Sequence, residues 1–470
     1  MRLTLLLLLM LGSQFVYAQE SYLQAESRRW SERVAESCQP SSFKVVATCG
    51  YELFTDHPLH IAAGSMPPQN GFALGMAFAE TWDTPNWRTS WDLDGVGAFS
   101  GTWRAGGYLT LVHTPATPIH VVVPSPPQPG GRQPLKKPEI DLTHPYTVFH
   151  VYAQSISLNK LNYFGEGNDS TLAGASVFGM NETIVGGDVN KPIYQLPALR
   201  NLNFSLLGQI NGRFVNIENE PGDSVRSIGA LYTNTTAPGL SSQPKFIQFG
   251  QGFSLDPVID DFEVNYLGSF QEFFAPSNSN YSFQRWTSDL NVTYSLYGHQ
   301  SSAKPVQTGP DECATSGHKC PSIPHTRNLE GSIGARLLVS ESITSATSTV
   351  PFYFQPTLGG SDIDNNPALA SYQDYRFRAP NLLLMQEEFE HSIWGPFGFQ
   401  FGADQGRVAL TRSELSFDHF RHSYAVGLTL RAGGFPMVYV LFAWGGPEGH
   451  HNIFNMNTSL LGGASRPPLD

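Results

Sequence analysis

The chain has 470 residues, of which 14% are charged and 12% aromatic, and it carries a formal net charge of −12. A charged fraction well under the roughly 25% usual in soluble proteins argues against a string of ordinary soluble domains, although the length alone would allow two or three. It fits a wall whose residues alternate between apolar and polar surroundings, and the acidic balance gives no footprint for nucleic acid.

At the start, Met1 and Arg2 lead into an unbroken apolar run from Leu5 to Leu11, and Val16-Tyr17-Ala18 supplies small residues before Gln19. This pattern predicts a cleaved signal peptide over 1–18. No later window holds the roughly 18 apolar residues in a row that a spanning helix needs, so passage through a membrane falls to strands. Residues 19–68 form a short polar N-terminal segment with a possible helix from Glu20 to Glu36. Residues 69–463 are expected to be the barrel and 464–470 a tail. Within the barrel, 114–145 is dense in proline (Pro124, Pro126, Pro127 and Pro129 among others), which forbids ladder pairing and predicts a loop or strap.

Period-two alternation dominates elsewhere. Trp87, Thr89, Trp91 and Leu93 oppose Arg88, Ser90, Asp92 and Asp94; Leu202, Phe204 and Leu206 oppose Asn201, Asn203 and Ser205. Phe262, Val264 and Tyr266 oppose Glu263 and Asn265, and Leu290, Val292, Tyr294 and Leu296 oppose Asn291, Thr293, Ser295 and Tyr297. Tyr424, Val426, Leu428 and Leu430 oppose Ala425, Gly427, Thr429 and Arg431. A soluble sandwich alternates too. Strands of ten residues or more, aromatics at strand ends (Trp87, Tyr266, Phe283, Trp286) and long polar loops at 218–243 and 300–328, read as outer loops, favour a membrane barrel. The expected fold is an all-β transmembrane antiparallel barrel of about sixteen strands, with Asp92, Asp94 and Glu263 lining a solvated lumen.

Four cysteines fall as local pairs, Cys38 with Cys49 and Cys313 with Cys320. In an exported chain these read as two small disulfide loops; His318 between the second pair is too little to close a metal site.

The C-terminal third carries a specific order of motifs. Val350-Pro351-Phe352-Tyr353-Phe354 precedes Leu358-Gly359-Gly360-Ser361, then Tyr372-Gln373-Asp374-Tyr375-Arg376-Phe377-Arg378 and Asn381-Leu382-Leu383-Leu384. Glu388-Phe389-Glu390 and Phe401-Gly402-Ala403-Asp404-Gln405-Gly406-Arg407-Val408 follow, while Tyr163-Phe164-Gly165-Glu166-Gly167-Asn168-Asp169 lies upstream. This order resembles the bacterial surface antigen and outer-membrane protein assembly factor superfamily, with its BamA-type barrel, and lacks that family's periplasmic recruitment domains.

The resemblance implies that the segment opened by Gly359 and Gly360 folds back into the lumen, where an Arg-Gly-aromatic tip meets wall acids corresponding to Glu388 and Asp404. Here Ala370-Ser371-Tyr372 occupies the tip, so the charge would come from Arg376 or Arg378, unless both are ordinary lumen-facing strand residues. It further implies insertion or translocation of proteins at a weak seam, expected between 72–80 and 452–461 with Gly462 and Gly463 loosening its end. The partners would be outer-membrane lipid and unfolded outer-membrane proteins or a separate periplasmic protein. A pore or structural barrel is the alternative.

Enzyme chemistry finds little support. No Gly-x-Ser-x-Gly elbow occurs, Ser361 reads as structural, and His450 and His451, as strand neighbours, point to opposite faces. His419 and His422 read as surface residues. No catalytic group, metal site or cofactor is expected.

Overall fold

Long strands with one apolar and one polar face cannot leave an edge in hydrocarbon, so the sheet must curl until its ends meet. The computed structural model describes residues 28, 31–32, 35, 58–113, 146–193, 202–219, 226–259, 262–296, 301–302, 325–326, 331–394, 397–432, 435–456 and 466–469. Among them sixteen long strands follow in order. They are β1 (Leu59–Ser65), β2 (Phe72–Asp83), β3 (Trp87–Ala98), β4 (Trp103–His113), β5 (Thr147–Tyr163), β6 (Ser176–Pro192), β7 (Ser205–Glu218) and β8 (Phe246–Leu255). Then come β9 (Phe262–Phe274), β10 (Phe283–Ser295), β11 (Gly331–Ile343), β12 (Asn381–Trp394), β13 (Phe397–Ala409), β14 (Arg421–Ala432), β15 (Phe435–Gly446) and β16 (Gly449–Met456). Each pairs antiparallel with the next. The fold is the expected sixteen-stranded antiparallel barrel.

The two faces differ as the alternation requires. Leu74, Met76, Trp91, Leu93, Ile210, Phe214, Leu428, Phe442 and Phe454 are exposed on the outside, whereas Asp92, Asp94, Arg104, Glu182, Arg213 and Gln248 are buried inside. Asp92 and Asp94 therefore face the lumen as expected but are buried, not solvated. Aromatic rings gather at both rims. Trp87 packs on Phe149, Phe253 on Phe204 and Tyr266, and Phe262 on Tyr294 at one rim; Tyr424 packs on Trp444 at the other. Such belts mark the two interfaces of a membrane wall. Phe283 is a correction: it is 3% exposed, stacked on Phe273 in the interior.

Consecutive antiparallel pairing fixes which loops share an end. The connections after odd-numbered strands, including 164–175, 226–245 and 344–380, lie at one end; β4 and β10 finish at the other. Of the two long polar loops expected to be outer loops, the described part of 218–243 lies at the first of these ends, and most of 300–328 lies outside the described residues. Two boundaries also shift. The barrel begins at Leu59, upstream of 69, and Leu202 and Phe204 precede β7 instead of lying within it. Arg28, Ser31, Glu32 and Ala35 are helical, inside the expected 20–36 helix. The signal peptide, Cys38, Cys49, Cys313, Cys320, the 114–145 segment and Gly462 and Gly463 lie outside the described residues.

Candidate functional site

The connection between β11 and β12 turns into the lumen. Its base is a short ladder of Thr357–Leu358 with Phe377–Arg378, and its chain reverses at Gly359 (φ 110°) and Gly360 (φ 61°). A Cβ on Gly359 would lie 2.4 Å from the Arg376 Cβ, and one on Gly360 2.3 Å from Asp374 Oδ1; glycine is the residue these backbone angles and this close approach admit. Leu369 (φ 52°) and Tyr375 (φ 60°) also hold left-handed conformations. For bulky side chains these are strained, and such strain persists where the surroundings over-determine the backbone. Tyr372, Tyr375 and Phe377 are buried to within 1% exposure, and burial pushes the Tyr375 hydroxyl well above its usual range, beside Asp374.

The loop tip rests on a polar rung of the wall. In register across five strands stand Asn291, Arg336, Gln386, Asp404 and Ser423. Arg336 grips Asp289 at 2.9 and 2.8 Å and donates to Gln386 at 3.1 Å, and Gln386 donates to Asp404 at 3.0 Å and to the Pro367 carbonyl at 3.0 Å. The Ala370 N–H then donates to Asp404 Oδ2 at 3.4 Å, and the Ser371 N–H to Ser423 Oγ at 2.8 Å. The loop thus meets the wall acid Asp404 through the Ala370 backbone amide, and the neighbouring serine Ser423 through the Ser371 amide. Gly406 makes room beside it: a Cβ there would lie 2.9 Å from Leu358.

Arg376 and Arg378 do something other than either expectation. Arg376 pairs with Glu448 at 2.8 Å, donates to Ser170 Oγ and O at 2.8 and 2.7 Å, and lies over Phe377 and Phe164 at 4.6 and 5.0 Å. Arg378 donates to the Phe352 carbonyl at 2.5 Å. Both arginines thus tie the loop to its own rim, and both belong to the loop, not to a barrel strand. Glu388 lines a cavity of about 440 Å³ with Asp289, Arg336 and Asp404; among the described residues no hydrogen bond joins it to the loop.

Phe352, Tyr353 and Phe354 plug the same end from within. Phe352 packs edge-on against Tyr163 and Phe178, Phe354 against Phe246, and Tyr353 against both, and the three join Phe273 and Phe283 in one apolar cluster. The upstream turn closes over this plug through Gly165 (φ 92°) and Gly167 (φ 98°), with the Gly167 N–H donating to the Arg378 carbonyl at 2.8 Å. Glu166 takes a hydrogen bond from Gln355, and burial raises its carboxyl above the usual range.

The seam lies between β1 and β16, not at 72–80, which belongs to β2. Among the described residues no backbone ladder joins the two strands, and the Met456 N–H donates instead to Ser65 Oγ at 3.0 Å. A cavity of about 370 Å³ sits there, lined by Ser65, Phe72, Asn452 and Asn455 together with Asn365 and Asp374 of the loop. Asn455 donates to the Asn365 carbonyl at 3.1 Å, as does Tyr439 at 3.0 Å. The loop therefore braces the last strand. His450 is exposed outside while His451 turns in, 3.7 Å from Asp374; the two do face opposite ways, as their strand spacing requires.

No protein-family model and no curated protein matches the chain. Among solved structures it is similar to CdiB from Acinetobacter baumannii, with TM-score 0.45, 9% identity and 85% of this chain covered. It is also similar to BamA from Haemophilus ducreyi lacking POTRA domains 1–3, with TM-score 0.45 and 9% identity over 91% of this chain and 80% of that one. CdiB from Escherichia coli gives TM-score 0.43 at 10% identity over 86% of this chain and 60% of that one. These likenesses assign no family. The chain spans 59% of the Acinetobacter CdiB.

The residues that sequence reasoning passed over are the wall partners. Arg213 and Glu182 form an ion pair at 3.0 Å with side chains 0% and 1% exposed, and counting by twos from Ser205 already turns Arg213 inward. Replacing Asp404 with Ala removes the acceptor for the Ala370 amide and the Gln386 side chain, at a cost of about 1–3 kcal/mol for buried donors left unmet. Limited proteolysis in detergent should then cut within 344–380 faster than in the parent; equal rates would remove the loop-to-wall contact from the account.

Proposed function

We propose that this barrel is an outer-membrane factor that aids insertion or translocation of proteins at the seam between β1 and β16. The observation that carries the reading is the seam itself. Every other neighbouring pair of barrel strands is laddered, β1 and β16 offer only 7 and 8 residues, and the other strands run from 10 to 17. A strand edge with unmet amides and carbonyls is a template for an incoming strand, and the loop that braces β16 controls how firmly that edge is held. Membrane lipid covers the apolar wall; unfolded outer-membrane proteins, or a separate periplasmic protein that gathers them, are the partners this reading requires. A pore or structural barrel is the second reading, favoured by the polar cavity of about 440 Å³ inside the lumen. No catalytic role, metal or cofactor enters either reading.

Locking the seam separates them. With the four native cysteines replaced by serine, Ser65→Cys with Met456→Cys should crosslink on oxidation and abolish acceleration of barrel insertion into liposomes, and reductant should restore it. Full activity in the oxidised form would contradict a route through this seam.

A further inference from the structure

After β16 the chain returns to the lumen. Arg466, Pro467, Pro468 and Leu469 lie inside the barrel and are held at four points. Arg466 pairs with Asp94, whose carboxylate also faces Arg104 at 3.5 Å. The Pro468 carbonyl accepts from Arg213 at 2.9 Å, from the same guanidinium that grips Glu182 and, at 2.7 Å, Gln248. The Leu469 N–H donates to Asp364 Oδ1 at 3.1 Å, on the loop itself. Its side chain, 5% exposed, joins the apolar cluster of Phe352 and Phe354, against which Ile363 of the loop also packs.

Each residue type suits this setting. An extended segment threaded through a lumen brings backbone donors that must be met. Two successive prolines bring none and fix an extended backbone at little further entropic cost. Arginine gives the buried Asp94 a second cationic partner beside Arg104, and leucine closes the apolar end. The direct wall contacts come from Asp94 on β3 and Arg213 on β7, three and seven strands round from β16, so the segment crosses the lumen to reach the second.

We propose that the lumen wall around Asp94, Glu182 and Arg213, together with Asp364 of the loop, is a peptide-binding groove for extended arginine-proline-proline-apolar segments, and that residues Arg466–Leu469 occupy it as a tethered plug. Loop and plug meet at Asp364, so both close the lumen at one contact. Releasing the plug opens the lumen and removes a support of the loop that braces β16. The proposal rests on the barrel fold and not on the assembly reading, and its test does not measure insertion.

The test is conductance of the full chain in planar bilayers, with heat-modifiable gel mobility as the check of folding. Arg466→Glu sets a second carboxylate against Asp94, and Leu469→Asp removes the apolar anchor by a different contact. Each should raise steady conductance severalfold over the parent. A synthetic Ala-Ser-Arg-Pro-Pro-Leu-Asp peptide added to the Arg466→Glu protein should return it to the parent level, while the same peptide with glutamate for arginine should not. Folded variants conducting like the parent would overturn the plug. Equal block by both peptides would overturn the groove.

Discussion

Replacing Arg213 with Ala is expected to destabilise the barrel by about 3–5 kcal/mol, the loss that follows when one partner of a buried ion pair is removed and the other stays charged without it. The setting leaves little room for relief. Arg213 and Glu182 are 0% and 1% exposed and sit diagonally across the β6–β7 ladder, and Arg213 also donates to Gln248 and to the Pro468 carbonyl. The guanidinium also lies 5.7 Å from the Phe354 ring. Urea unfolding followed by gel mobility measures the effect. The double change Arg213→Met with Glu182→Leu should recover most of the loss, since apolar pairs of similar volume replace buried ion pairs at little net cost. A single variant as stable as the parent would mean that the pair is solvated in the membrane.

Gly359→Ala is expected to unseat the lumenal loop while leaving the barrel wall intact. The added Cβ would meet the Arg376 Cβ at 2.4 Å, the Gln373 carbonyl at 2.7 Å and the Arg376 nitrogen at 2.9 Å. All three are backbone or first side-chain atoms, so none yields by a rotamer change. The backbone angle adds roughly 1–3 kcal/mol of strain. Arg376 would then lose Glu448 and Ser170, and the ladder of 357–358 with 377–378 would open. Proteolysis inside 344–380 should accelerate strongly, with heat-modifiable mobility retained. A loop as resistant as the parent's would show that 359 tolerates a side chain and that the tight approach seen here is relaxed at no cost.

Much of the wall was legible in the sequence, because a strand in a membrane barrel has period two written into it. The runs 87–94 and 290–294 place their tryptophans, leucines and valines outward and their aspartates and asparagines inward, as the structure has them. Phe283 shows how the same rule is misapplied. By counting in twos it shares the face of Asn291 and Thr293, and parity decides its side of the wall, whereas aromatic character alone had put it in a girdle. The first strand is harder to see. Leu59–Ser65 contains Ala62, Ala63 and Gly64, small residues that blur the alternation, and four of its seven residues are buried on both faces by the neighbouring segments.

The lumenal contacts were only half legible. Gly359 and Gly360 announce a reversal, and Asp404 is an inward acid by alternation, so a loop meeting a wall acid was readable. That the backbone amide of Ala370 makes the contact was not, since an amide leaves no mark in the sequence. Arg466 and Asp94 are separated by 372 positions, and nothing local to either predicts the other; their meeting depends on where the chain travels after β16.

The central claim is that the seam, and not the lumen, is the working surface. The most direct measurement reconstitutes the chain in liposomes and follows, in parallel, steady ion conductance and the rate at which an unfolded test barrel inserts. The account predicts faster insertion with little steady conductance, because loop and plug close the lumen while β1 and β16 offer an edge. Steady conductance with no acceleration of insertion would contradict it and identify the chain as a pore.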